Sequence, residues 1–256
     1  PGELVEVEIE DRKKDYANAR LVNVIEPSPH RKSSDCPNFS TVGCCGWDYI
    51  AYDNQIELKE SIIRDSLSRL GHIQWDQPID RITGIHKGYR MRARFRVENH
   101  RIGFVRKQTH EFVPIVECGA LMPALNTFIT EANAALRKPG LGKTETVHAI
   151  ASPESGDVAA TFHGSRERAS WTDHLPRTRV MGIEYRLRPD SFFQPNQYLV
   201  KTMALEVMAA TEGSKVVLDV FCGSGFFSLL IARHASRVIG IDRRSIANAK
   251  WNAQRN

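Results

Sequence analysis

Residues 222–225 read Cys-Gly-Ser-Gly and follow the apolar run Lys215 to Phe221, which has the character of a buried parallel strand. Glycines at 223 and 225 let the backbone approach a ligand closely. Asp242 stands about 20 residues past the first glycine, the spacing at which a strand-end acid binds a ribose diol. Asp219, just before the glycines, suits a ligand with a cationic end, such as the methionine part of S-adenosylmethionine. Position 228 is Ser where a dinucleotide fingerprint needs a third glycine, so NAD and FAD are disfavoured. No Gly-Lys-Ser/Thr occurs, so this is not a phosphate loop for ATP. Asp219, Gly223, Gly225 and Asp242 are therefore candidate ligand contacts. The bland alternative is a buried strand with a tight turn and no ligand.

Two further groups could do chemistry. Between His86 and His110 there are eight Lys or Arg and one acid, Glu98. Arg90, Arg92, Arg94 and Arg96 alternate with Met91, Ala93 and Phe95, so on a strand all four arginines share one face. Such a row repels itself unless an anion lies against it, and a nucleic-acid backbone is one such anion. A solvated face with acidic partners from elsewhere is the competing reading. Cys36, Cys44 and Cys45 cluster in CPNFSTVGCCGW, and Cys118 lies at a strand end before a helix. Three clustered thiols plus a distant one fit an iron–sulfur cluster, with Cys₄ zinc and ordinary buried cysteine as alternatives. Cys222 reads as packing within the glycine turn.

The elements that must position these groups are legible as patterns. Residues 4–10 alternate Val5, Val7, Ile9 against Glu6, Glu8, Glu10, a half-buried strand, and a second strand runs from Ala17 to Ile25. A helix is expected from Leu121 to Leu136, with Leu121, Leu125, Phe128, Ile129, Ala132 and Leu136 on its core face. Phe226 to Arg233 is helical, Arg237 to Asp242 is the next strand, and Ser245 can cap a last helix bearing Ile246, Ala249 and Ala253. Both ends of the chain leave sheets short of strands, so the expectation is an internal fragment of a longer protein.

With 41% apolar and 25% charged residues the composition is that of a globular chain, which excludes disorder and collagen-like character. The length of 256 residues accommodates roughly two domains. No run approaches the roughly 20 apolar residues of a membrane span and no signal peptide opens the chain, so it reads as cytoplasmic with no membrane partner. Five cysteines do not make a disulfide framework in a chain of this size. The net charge of +5 is mild evidence for a polyanionic partner.

The chain resembles the RNA uracil-5 methyltransferases of the bacterial 23S rRNA type, which carry a TRAM domain and a [4Fe-4S] cluster. PGELVEVEIEDRKKDYANARLVNVIEPSPHRKSSDCP is similar to the second half of a TRAM domain running into the first cluster cysteine. YDNQIELKESIIRDSL resembles the helix after the cluster loop. FFQPN at 192–196 resembles the family's Phe-x-Gln-x-Asn motif, LDVFCGSGFFSL its cofactor loop and VIGID its ribose-binding strand. The family often has Glu where Asp242 stands and Asn where Phe226 stands.

The resemblance implies an α/β chain of three parts. These are a partial OB-like TRAM hairpin (1–30), a mixed α+β central domain with the iron–sulfur loop and RNA-facing strands (31–188), and the first half of a Rossmann-like S-adenosylmethionine-dependent domain (189–256). It implies cofactor contacts at Gln194, Phe221 and Asp242, and cluster ligands at Cys36, Cys45 and Cys118. The family's second cluster cysteine falls at Val42, so Cys44 is taken as a shifted ligand, the alternative being a cluster that is altered or absent. The implied activity is methylation of C5 of a uracil in RNA, ribosomal RNA favoured, by a monomer. A cysteine thiolate adds to C6, C5 takes the methyl group, a base removes the C5 proton and the thiol is eliminated. The family's Ser-Cys-Asn-Pro motif and its base Glu are not among these 256 residues, so no catalytic residue is assigned and the fragment is expected to be inactive alone. Competing readings are a tRNA uracil-5 methyltransferase, an RNA-binding module without catalysis, a methyltransferase for small molecules or proteins, and a redox protein built on the cluster.

Overall fold

The computed structural model describes residues 2–42, 45–107, 109–138, 140–164 and 168–256. The chain divides into two compact units, Pro1–Phe39 with Cys45–Arg81, and Ser40–Cys44 with Ile82–Asn256.

In the first unit β1 (Leu4–Arg12) and β2 (Ala17–Glu26) form an antiparallel hairpin. The Lys13 N–H donates to the Tyr16 carbonyl and closes its turn. The alternation is as the sequence predicts, but the apolar residues stay exposed in this unit, with Val7 and Ile9 both 45% accessible. The unit's helix is α2 (Tyr52–Arg69), while the short α1 (Phe39–Val42) that precedes it in sequence falls, after Phe39, in the second unit. Ion pairs stitch the unit together. The Arg31 guanidinium holds the Glu3 carboxylate bidentately at 2.5 and 2.7 Å and lies over the Tyr49 ring. Glu60 pairs with both Arg64 and Arg81.

The second unit is built on a six-stranded antiparallel sheet in the order β5-β4-β3-β6-β7-β8. Its strands are β3 (Arg92–Glu98), β4 (Arg101–Val105), β5 (Phe112–Pro114), β6 (Thr144–Ala151), β7 (Val158–Gly164) and β8 (Arg168–Ser170). Alternation makes one face apolar. Ala93, Phe95, Val97, Val147, Ala149 and Phe162 are buried there with Leu125, Phe128, Ile129 and Ala132 of α3 (Pro123–Ala135). Pro123 fits the first turn of that helix, where its missing N–H has no partner to lose. The helix therefore starts two residues later than expected, and Leu121 and Met122 pack as its lead-in.

A tight hairpin of β9 (Arg177–Val180) and β10 (Ile183–Arg186) follows, turning through Met181 and Gly182, both at positive φ. After α4 (Val200–Ala210), the parallel pair β11 (Val216–Val220) and β12 (Arg237–Ile241) is joined through α5 (Phe226–Ile231) and followed by α6 (Ile246–Arg255). Tyr185, Phe193 and Phe226 form an aromatic cluster with centroids 5.3–5.7 Å apart. The Tyr185 hydroxyl donates to the Phe226 carbonyl, and burial pushes the phenol well above its ordinary range. Among the described residues no helix is long and apolar enough to cross a membrane.

Candidate functional site

The turn after β11 is built from left-handed backbone. Phe221, Gly223 and Gly225 have φ of 68°, 58° and 79°. Phe221 is 85% exposed, an aromatic ring held out in solvent at the carboxyl end of a parallel strand. That edge is where open α/β sheets bind ligands. Gly225 caps α5, and a Cβ there would come within 3.3 Å of the Ala249 Cβ on α6, so it needs glycine for conformation and for helix packing.

Asp242 lies directly across this turn. Its Oδ2 accepts the Gly223 N–H at 3.2 Å, and its Oδ1 accepts the N–H groups of Arg244 (2.8 Å) and Ser245 (2.6 Å). The Ser245 N–H is the chief reason its carboxyl titrates below the usual range. Asp242 thus joins the glycine turn to the start of α6 and stays ionised, able to accept hydroxyl hydrogen bonds on its remaining lone pairs. Asp219 accepts a hydrogen bond from Ser228 at 2.5 Å.

The Ser at position 228 has a physical reason. Gly240 on β12 lies opposite, where a Cβ would sit 3.0 Å from Cys222 Sγ and 3.2 Å from Ser228 Oγ. The close packing that a third glycine would provide on the helix is provided on the strand. Sequence reasoning passed over Gly240, although a glycine inside a strand is itself a sign of close approach. Cys222 is buried, and burial together with Asp219 and Asp242 pushes its thiol up, consistent with packing rather than reactivity.

The FFQPN segment reaches this turn. A Cβ on Gly223 would lie 3.9 Å from both Phe192 Cδ1 and the Phe192 carbonyl. Phe193 enters the aromatic cluster, Asn196 Oδ1 accepts the Tyr198 and Leu199 N–H groups, and Gln194 is half-buried between them. The Pro195 carbonyl accepts the Met91 N–H at 2.8 Å, and Arg90 bridges to Asn196. The segment therefore links the glycine turn to the base of the arginine strand.

The four arginines are not equivalent. Arg92, Arg94 and Arg96 share one face of β3, opposite the buried Ala93, Phe95 and Val97. Arg90 lies outside the strand, because its backbone bonds go to Ala120 and Met122, and its side chain donates to the Arg92 carbonyl. Arg92 is half-buried over the Phe192 ring at 5.8 Å, and burial lowers its pKa. Arg94 and Arg96 are exposed, with Glu98 3.4 Å from Arg96.

Of the cysteines, Cys36 and Cys45 are half-buried in the first unit and Cys118 is buried in the second, while Cys44 lies outside the described residues. Asp48 ties the first two together. Its N–H donates to the Cys45 carbonyl at 2.9 Å and its carboxylate accepts the Cys36 N–H at 3.3 Å.

The chain is thus a mixed α/β protein in which a glycine turn with a facing acid, at the end of a parallel strand, is joined to a sheet with arginines on its open face. Comparison with known proteins narrows the class. Residues 173–256 match the family model described as tRNA (Uracil-5-)-methyltransferase. The 23S rRNA (uracil(1939)-C(5))-methyltransferase RlmD of Stenotrophomonas maltophilia (strain R551-3) is 30% identical over 100% of this chain and 67% of its own length. An uncharacterized RNA methyltransferase of Aquifex aeolicus is 27% identical over 100% of this chain and 68% of its own length. The fold is similar to that of the Pyrococcus abyssi tRNA (uracil-54, C5)-methyltransferase solved with S-adenosyl-L-homocysteine. That likeness has a TM-score of 0.72 at 21% identity and covers 99% of this chain and 70% of the other. The chain belongs to the RNA uracil-5 methyltransferase family.

Proposed function

We propose that this chain serves the S-adenosylmethionine-dependent methylation of C5 of a uracil in RNA, with ribosomal RNA as the substrate. The observation that carries the reading is the meeting of FFQPN with the glycine turn. Phe192 abuts Gly223 while Asp242 faces the same turn, so the family's motifs converge on one edge of the parallel pair. The left-handed turn and the ionised Asp242 fit a nucleoside with a diol, and Asp219 fits its cationic amino-acid end. Gln194, Asp219, Phe221, Gly223, Gly225 and Asp242 hold the cofactor, which supplies an electrophilic methyl group. Asp242 binds the ribose, Phe221 stacks on the base and the glycines allow close backbone approach. The uracil must leave its stack to be reached.

The exposed Arg94 and Arg96, with Arg90 and Arg92 beside them, take the RNA backbone. The 1–30 hairpin acts as part of a TRAM barrel, 31–188 as the RNA-facing central domain and 189–256 as the start of a Rossmann-like methyltransferase domain, in a cytoplasmic monomer. Cys36, Cys44, Cys45 and Cys118 hold a [4Fe-4S] cluster of structural role. The all-thiol donor set and the Asp48 clasp on Cys36 and Cys45 support that reading.

Calorimetry with S-adenosyl-L-homocysteine tests the site. Asp242→Ala should weaken binding at least about tenfold, the loss of a charge-assisted hydrogen bond or more. Unchanged affinity overturns the cofactor assignment. RNA binding over a salt series tests the basic face. Arg94→Ala with Arg96→Ala should flatten the log–log slope by about 2. Tighter binding to tRNA than to a 23S rRNA fragment would redirect the substrate to tRNA.

A further inference from the structure

The polar face of the six-stranded sheet carries a constellation that the glycine turn does not involve. His148 lies on β6 and His163 on the neighbouring β7, offset by two residues across the ladder, where Thr146 pairs with His163 and His148 with Thr161. Asp190, on the loop after β10, reaches over both. Its Oδ1 is 2.7 Å from His148 Nδ1 and 2.9 Å from His163 Nε2. The three ligand atoms lie within 4.8 Å of one another, and the imidazole centroids are 4.6 Å apart. Among the described residues this is the one group of three such side chains with that geometry.

We propose that His148, His163 and Asp190 form a site for a divalent transition-metal ion of the zinc class, with a fourth position open to water. Two imidazoles and a carboxylate are a donor set that zinc accepts, and three protein ligands with an open position are the pattern of its non-structural sites. Tetrahedral zinc with bonds of about 2.0–2.1 Å places its donors about 3.3 Å apart. The two nitrogen–oxygen separations need to widen by about half an ångström, and the nitrogen–nitrogen separation, within 4.8 Å, has to settle at the same value, changes that side-chain torsions supply. The backbone need not move, because each histidine is fixed in a strand.

The surroundings select the kind of ion. Arg168 pairs with the other carboxylate oxygen of Asp190, which is the outer hydrogen bond that a ligating carboxylate ordinarily has. Arg94 is the register partner of His148, and Arg92 also acts on Asp190. A site with one carboxylate and these arginines repels calcium or magnesium, which need several oxygen ligands. An ion held there must form strong bonds to imidazole nitrogen. The site makes no use of the proposed cofactor residues and stands whether or not the RNA methylation reading does.

The test uses the whole chain, stripped with chelator, desalted and titrated in separate samples with Zn²⁺ and with Co²⁺. The wild type should bind one equivalent more than His148→Ala, His163→Ala or Asp190→Asn, with affinity at that site falling at least about tenfold in each. Cobalt separates this site from the cysteines, because histidine and carboxylate ligands give visible d–d bands without thiolate charge transfer. Zinc should also raise the melting temperature of the wild type and not of the variants. His163→Gln, at a partly exposed position, replaces any alanine variant whose circular dichroism shows misfolding. Equal stoichiometry in wild type and variants, or a cobalt spectrum consisting only of thiolate bands, overturns the site and leaves Asp190 as a hydrogen-bond acceptor joining two strands.

Discussion

Two sheets of the second unit, the six-stranded antiparallel one and the parallel pair, bury their apolar residues very differently. In the antiparallel sheet Phe95, Val147 and Phe162 are at most 2% accessible beneath α3. In the parallel pair Val216, Leu218 and Val220 are 61%, 56% and 51% accessible, although their sequence is the more continuously apolar. The covered side of the parallel pair carries Val217, Asp219, Val238 and Gly240 instead. Apolar content alone therefore does not tell which strand carries stability. In the first sheet large rings pack on one another, Phe162 against Phe128 and Trp171. In the second, Gly240 brings Cys222 and Ser228 close to the strand beside the glycine turn.

That contrast can be broken by substitution. Phe162→Ala removes a ring packed against Phe128 and Trp171, and should cost about 3–5 kcal/mol in denaturant unfolding. A loss under 1 kcal/mol would mean the antiparallel core is not the stable region. Gly240→Ala puts a methyl 3.0 Å from Cys222 Sγ and should cost about 1–3 kcal/mol. It should also weaken binding of S-adenosyl-L-homocysteine, because the glycine turn must shift. Wild-type stability and affinity would show that Ser228 and Cys222 can yield. Leu218→Thr, on the open side of β11, should change unfolding by no more than about 0.5 kcal/mol. A cost of several kcal/mol there would reveal that this face is covered in solution.

Much of this was legible in the sequence. The alternation in Arg92–Glu98 gave both the buried and the charged face of β3, and the glycine turn with Asp242 appeared at the expected spacing. What escaped was set by pairings between distant segments. Ser228 read as a missing glycine because its compensation, Gly240, lies on another element. Arg90 read as one more strand residue, yet its backbone partners are Ala120 and Met122 on a segment 30 residues away. His148, His163 and Asp190 carry no shared motif. They meet only once β6 pairs with β7 and the later loop folds back.

The hydrogen bond from Met91 to Pro195 has a consequence for synthesis. The acceptor emerges about a hundred residues after the donor, so at roughly 5–20 residues per second the edge at Met91 waits on the order of ten seconds for its partner. During that interval the nascent sheet can fold around α3, whose residues have already left the ribosome, while the segment carrying FFQPN has not. A pause in translation before residue 192 would prolong the exposure of that edge, so codon usage in this stretch bears on yield even though it changes no residue.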